Sequence, residues 1–260
     1  MYNYFDDKEF GSTDVNYIVK MSSKQNAYDY PDVLSSPNNR IGSSDPSLRQ
    51  GLIIPVTKAT SDAAHKIKGE WYGTCNEWFE SKNANLDATL DSTKLTAISK
   101  TVLPLQNTTS PYGMEISSYL SPLSTTAISD CTYHPFTATS LDPPTYKYYP
   151  IKVYFSYTLE DGSEMYFDGH SWIKKADTSA AVTISNKNYV VTVDQMDYSS
   201  LPAVYRPGYP PTSNSNKPLK LGSYYRGDRV TILYTSDVLP NWGYTGQGWV
   251  EISPNLSEIS

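Results

Sequence analysis

Asn241-Trp242-Gly243-Tyr244-Thr245-Gly246-Gln247-Gly248-Trp249-Val250-Glu251 has the pattern of a β-hairpin. An aromatic residue leads, a Gly-rich turn follows, and a tryptophan stands seven positions after Trp242. Turn residues of this kind accept positive φ, and the flanking residues alternate in character, so the leading aromatic and Trp249 can meet as a cross-strand pair. The same shape recurs at 69–80, where Trp71 leads and Trp78 follows, and at 162–174, where Tyr166 leads and Trp172 follows. Each closing tryptophan is followed by an apolar residue and then a charged one: Phe79-Glu80, Ile173-Lys174 and Val250-Glu251. Three such hairpins in one chain point to a repeated small unit.

The composition agrees with strands. Aromatics make up 13% of the 260 residues, with 23 tyrosines against 6 phenylalanines, and there are 18 prolines. Tyrosine suits half-exposed sheet faces and contact surfaces, and proline with Ser, Thr and Asn favours short strands joined by turns. The chain reads as all-β. Its net charge is −6 with no basic cluster, which argues against a nucleic-acid partner, because phosphates need a Lys/Arg stripe. No apolar run approaches the roughly 20 residues of a membrane span. The start, Met1-Tyr2-Asn3-Tyr4-Phe5-Asp6-Asp7, lacks the basic and apolar regions of a secretory signal. The expected location is therefore the cell in which the chain is made, or a particle assembled there. Two cysteines, Cys75 and Cys131, do not make a disulfide framework and are expected to stay as thiols.

Upstream of the third hairpin lie Val204-Tyr205-Arg206-Pro207-Gly208-Tyr209, a polar loop over 210–217, and the run 219–234. In that run Arg226-Gly227-Asp228 marks a tight turn into Arg229-Val230-Thr231-Ile232-Leu233-Tyr234, whose alternation suits a strand with one buried face. From Val204 to Ile252 the chain resembles a bacterial SH3-like (SH3b) domain. Gly222, Gly227, Val230 and Ile232 resemble the family's G-x-x-x-G-x-x-V-x-V element, with four residues rather than three between the glycines, and Trp242 with Gly248-Trp249-Val250 fits its closing hairpin. Two earlier stretches resemble it more loosely, the first through Val33-Leu34-Ser35-Ser36-Pro37 and Gly51-Leu52-Ile53-Ile54-Pro55-Val56. The second joins Val102-Leu103-Pro104-Leu105 to the 148–155 run across a long Tyr- and Pro-rich insertion. The expected architecture is tandem small SH3-like β-barrels: barrel 1 over 30–92, barrel 2 over 93–180 and barrel 3 over 181–260. Residues 1–29 fit no barrel and are expected to form an extended, anchoring arm. Within it Val15, Tyr17, Val19 and Met21 alternate as a strand would, while Ser12-Thr13-Asp14 could equally cap a short helix.

No residue set satisfies a catalytic mechanism, so no catalytic residue, metal ligand or cofactor is expected. Cys131-Thr132-Tyr133-His134 lacks the further ligands that zinc needs, and its thiol sits in a Ser/Thr/Pro-rich insertion with no helix to present it. Glu70, Glu77 and Glu80, and Glu160, Asp161, Glu164 and Asp168, are expected as solvated strand edges and turn formers rather than as a hydrolase pair. The aromatics remain. Trp78, Trp172 and Trp249 are expected to anchor barrel cores, since small domains bury little else. Trp71, Tyr72, Tyr166, Tyr224, Tyr225, Trp242 and Tyr244 are expected to form exposed platforms that stack on sugar rings or grip peptides.

The resemblance implies recognition of Gram-positive cell-wall peptide or glycan. Three units without an enzyme or a leader resemble a bacteriophage structural or host-adsorption protein of the tail, neck or fibre region, oligomeric in the virion. In that reading residues 1–29 contact other virion proteins, and several weak contacts reinforce one another. The alternatives are a purely structural virion subunit, whose barrels mediate subunit contacts, and the wall-targeting part of a peptidoglycan hydrolase.

Overall fold

The computed structural model describes residues 11–28, 31, 47–61, 69–75, 77–104, 117–128, 150–183, 187–199, 220–237 and 240–259. The chain is all-β. Among the described residues the only helical turns are three-residue 3-10 turns at Ser81–Asn83, Ser92–Lys94 and Lys175–Asp177. All three hairpins are present, as Trp71–Thr74 with Glu77–Glu80, Glu164–Phe167 beside Trp172–Lys174, and Trp242–Tyr244 with Trp249–Glu251.

The described residues of 1–99, 118–129 and 153–173 form one compact unit, and those of 100–117, 130–152 and 174–260 form a second. In the first unit a five-stranded antiparallel sheet runs in the order 77–80, 71–74, 53–60, 13–21, 84–86. Its core draws on both earlier hairpins. Val19, Ile54 and Phe79 pack in one cluster with Phe155, Phe167 and Trp172. A boundary at 92/93 would cut this cluster, so barrels 1 and 2 do not stand as two separate cores. The reason is size: a short hairpin buries too little apolar surface to be stable alone. Trp172 is fully buried and its indole N–H donates to the Ile53 carbonyl at 2.8 Å, tying the second hairpin to the first sheet. Tyr157 and Phe167 flank it at ring distances of 6.4 and 5.1 Å.

The N-terminal segment is also part of this unit, which corrects the expectation of an arm. Thr13–Met21 is an inner strand, paired to Ile53–Thr60 on one side and to Ala84–Leu86 on the other. The strand reading of Val15, Tyr17, Val19 and Met21 holds: Val19 and Met21 are buried, and Tyr17 lies edge-on against Tyr72 at 5.9 Å. Val19 and Met21 supply one buried face and Ile18 is buried on the other, and that burial outweighs the capping signal at Ser12. Residues 1–10 lie outside the described residues.

The second unit holds the strands Lys220–Tyr225, Gln195–Ser199, Trp249–Glu251, Trp242–Tyr244, Tyr234–Ser236 and Thr178–Thr183, neighbours in that order, and a three-stranded sheet of Arg229–Thr231, Asn188–Val191 and Leu256–Ile259. Tyr189, Val191, Met196, Val230, Ile232 and Val250 form its core. The tight turn at Arg226-Gly227-Asp228 is present, with Gly227 at φ 91° and the Asp228 N–H donating to Tyr225 O at 2.9 Å. The expected continuous strand over 229–234 is instead two strands that break at Ile232 and Leu233. The first strand of the SH3-like pattern, 204–209, and its polar loop lie outside the described residues.

Two outcomes follow from this packing. Phe79→Ala and Phe167→Ala each cost about 3–5 kcal/mol, the range for buried aromatic truncation, and each lowers hydrogen-exchange protection in both the 71–80 and 164–174 hairpins. Separate loss in each hairpin would contradict a shared core. Gly243 has no room for a side chain, because an added Cβ would lie 2.6 Å from Ile232 Cγ2. Gly243→Ala is expected to cost about 1–3 kcal/mol by overpacking, read as a lower denaturation midpoint of the second unit.

Candidate functional site

In the third hairpin Gly243 faces the core residue Ile232, and its partner Val250 is itself a core residue. Side chains alternate along a strand, so Trp242 and Tyr244 stand on the opposite, outer face. Register then extends that face. Tyr234 pairs with Tyr244, and Tyr244 pairs with Trp249, which places three aromatics side by side across three strands. Tyr244 and Trp249 rings lie 5.5 Å apart at 47°. Trp249 is fully buried, whereas Tyr234, Trp242 and Tyr244 are half-buried. Trp249, fully buried beside half-open Tyr244 on the same face, holds that ring in place, and the half-open rings present apolar faces and polar tips at once.

A second group stands on the same side of its own strand pair, away from the core residue Met196. Gln195 pairs with Tyr225, and Asp197 pairs with Ser223. Asp197 Oδ1 accepts from Lys220 Nζ at 2.8 Å, Ser223 Oγ at 2.7 Å and Gln195 Nε2 at 3.0 Å. These donors, Lys220 first, then Ser223 and Gln195, hold the Asp197 carboxyl down at about 2. Beside this network Tyr225 is 57% exposed. Aromatic faces next to a fixed carboxylate, amide and hydroxyl match what a sugar or peptide presents: apolar patches with hydroxyl or amide groups at defined positions.

The sequence-expected platform residues divide. Tyr225 is exposed, and Tyr72, Tyr224, Trp242 and Tyr244 are half-buried. Tyr224 turns inwards at the core margin, its ring 4.9 Å from Tyr198 and its hydroxyl donating to Gln247 Oε1 at 3.1 Å and Thr245 Oγ1 at 3.3 Å. Burial raises its pKa, partly offset by the Thr245 hydrogen bond. Trp71 and Tyr166 are buried at 2% each and offer no platform; Trp71 packs edge-on against Tyr28 at 5.7 Å, with Trp78 in the same small cluster. Trp78, Trp172 and Trp249 are all buried. Tyr234 joins the outer face although the sequence reading passed over it. Its signal was the pairing of strand 234–236 with the hairpin, which depends on the break at Ile232–Leu233.

Two carboxylates are not the solvated groups expected. Glu77 is buried and its Oε2 lies 3.3 Å from His170 Nε2. Asp168 is a turn former but a buried one, accepting from the His170 and Ser171 N–H groups at 2.7 Å each. Among the described residues no group of three or more His, Cys, Asp or Glu is placed to hold a metal ion. Cys131, His134 and His65 lie outside the described residues.

No known family matches the sequence, and no curated protein does. A solved structure titled "Crystal structure putative autolysin from Listeria monocytogenes" aligns over 93% of this chain and 96% of its own, at 14% identity and a TM-score of 0.21.

The hydrogen-bonded state of Asp197 sets a pH response. Its folded pKa, about 2, lies below the ordinary 3.8, so its stabilising contribution is present above the ordinary value and is lost as pH falls through about 2. Asp197→Asn is expected to flatten the fall in unfolding midpoint between about pH 4 and pH 2, measured by chemical denaturation at each pH.

Proposed function

We propose that the chain is a non-catalytic binding protein that attaches to a carbohydrate- or peptide-bearing surface, the Gram-positive cell wall being the surface its SH3-like resemblance implies. The observation that supports this reading is the aromatic face of the second unit, where Tyr234, Trp242 and Tyr244 stand half-open beside buried Trp249, on the stretch that resembles an SH3b domain. Pre-ordered aromatics bind with little entropic loss, because their rings are already fixed by the sheet and by one another. The polar group at Asp197, Ser223 and Gln195 supplies direction, and Tyr225 adds a further ring. A setting in a phage particle is the finer form of this proposal and rests on the family resemblance alone. Mass spectrometry of purified particles tests it, and absence of the chain from them would remove it.

The binding reading is tested by sedimentation of the full chain with purified Gram-positive walls. The chain is expected to co-sediment, and Trp242→Ala and Tyr244→Ala are each expected to weaken retention about tenfold, the equivalent of about 1.4 kcal/mol. Full-length protein that stays in the supernatant would sink the proposal. A zymogram on the same walls separates binding from cleavage: a cleared band would replace this reading with that of a hydrolase.

A further inference from the structure

The pairing that fixes the aromatic face also sets a charge beside it. Trp242 pairs directly with Glu251, so their side chains leave the sheet on the same side, close enough to touch one ligand. Both residues are half-buried. The Glu251 carboxylate receives a single side-chain hydrogen bond, from Asn241 Nδ2 at 3.4 Å, and that amide is held more closely by Ser253 O at 2.9 Å. Among the described residues no lysine, arginine or histidine pairs with Glu251. Trp242 likewise makes no ring contact of the kind that joins Tyr244 to Trp249. On the neighbouring strand Ser199 pairs with Trp249, and Asp197 and Glu251 lie two residues beyond that pair on the same face. The cation there, Lys220, is already engaged by Asp197 at 2.8 Å.

This juxtaposition narrows the ligand. A neutral sugar would stack on Trp242 while stripping water from Glu251 and returning no charge to it. A phosphate or carboxylate group would meet the like charge of Glu251, with Lys220 already taken. An ammonium group gains twice, because a cation over an indole face and an ion pair with the adjacent carboxylate act in the same direction. Building on the wall-binding reading above, we infer that the aromatic face recognises a peptide through a free ammonium group, held between the Trp242 ring and the Glu251 carboxylate. Tyr244 and Tyr234 take the apolar part of the peptide that carries the amine. The carboxylate, hydroxyl and amide of Asp197, Ser223 and Gln195 stand on the same side to meet its backbone amides. A peptide is favoured over an amino sugar on this ground, since the sugar offers hydroxyls and no run of amides.

The test uses the full chain and one preparation of Gram-positive walls, part of it N-acetylated with acetic anhydride, in the same sedimentation assay at pH 7. Retention on acetylated walls is expected to be about tenfold weaker than on untreated walls. Glu251→Gln keeps the shape and removes the charge. It is expected to lose about tenfold on untreated walls and to match the unchanged chain on acetylated ones, a pattern that a folding defect would not produce. The dipeptide alanyl-lysine is expected to compete for untreated walls at concentrations where its diacetylated form and glucosamine do not. Equal retention on both kinds of wall, or unchanged retention in Glu251→Gln, would overturn the inference and leave the wall-binding reading standing. Competition by glucosamine as strong as that by the dipeptide would overturn it too. A chain that stays in the supernatant with untreated walls would remove the wall-binding reading and this inference with it.

Discussion

The hydrogen bond from the Trp172 indole to the Ile53 carbonyl is the constraint on which the first unit depends. An indole N–H taken from water without a partner costs roughly 1–3 kcal/mol, so a fully buried tryptophan must find an acceptor. The acceptor lies 119 positions earlier in sequence. Meeting it brings the second hairpin onto the sheet built from 13–21, 53–60 and 71–80. The same strand end is held again where the Ile53 N–H donates to Leu120 O at 2.8 Å. Both backbone groups of Ile53 are thus satisfied from segments far along the chain, and the packing of Phe79, Phe155 and Phe167 around Trp172 follows from that placement.

The two units use aromatics in contrasting ways. In the first they are mostly spent on the interior, as Trp71, Trp78, Trp172, Tyr157 and Tyr166 are buried. In the second the sheet keeps a single tryptophan covered and leaves its neighbours half-open, so rigidity and accessibility coexist on one face. The difference comes from alternation. In the second unit the face opposite the small core of Val and Ile carries Tyr234, Trp242 and Tyr244 half-open beside a covered Trp249.

Much of this was legible in the sequence. The all-β class followed from composition, and the three hairpins from an aromatic, a turn and a tryptophan at fixed spacing, because those signals are local. The buried state of Trp71 and Tyr166 was not legible, since the same alternation serves an exposed face and a face covered by a distant strand. Glu77 shows the limit most clearly. A carboxylate two residues after a turn reads as solvated, and its burial beside His170, 93 positions away, is invisible at that range. The place of Tyr234 was hidden for a smaller reason: a two-residue break in a run that alternates correctly on both sides.

The discontinuity of the first unit has a consequence for how the molecule is made. Its N-terminal strand is synthesised first, yet the core it belongs to is incomplete until Trp172 leaves the ribosome. At about 5–20 residues per second the early sheet waits several seconds with apolar positions uncovered. Contacts this distant in sequence also slow the search for the native pairing. During that interval Val19, Ile54 and Phe79 are open to the wrong partners, so the yield of folded protein depends on translation pace and on chaperones that shield a nascent chain.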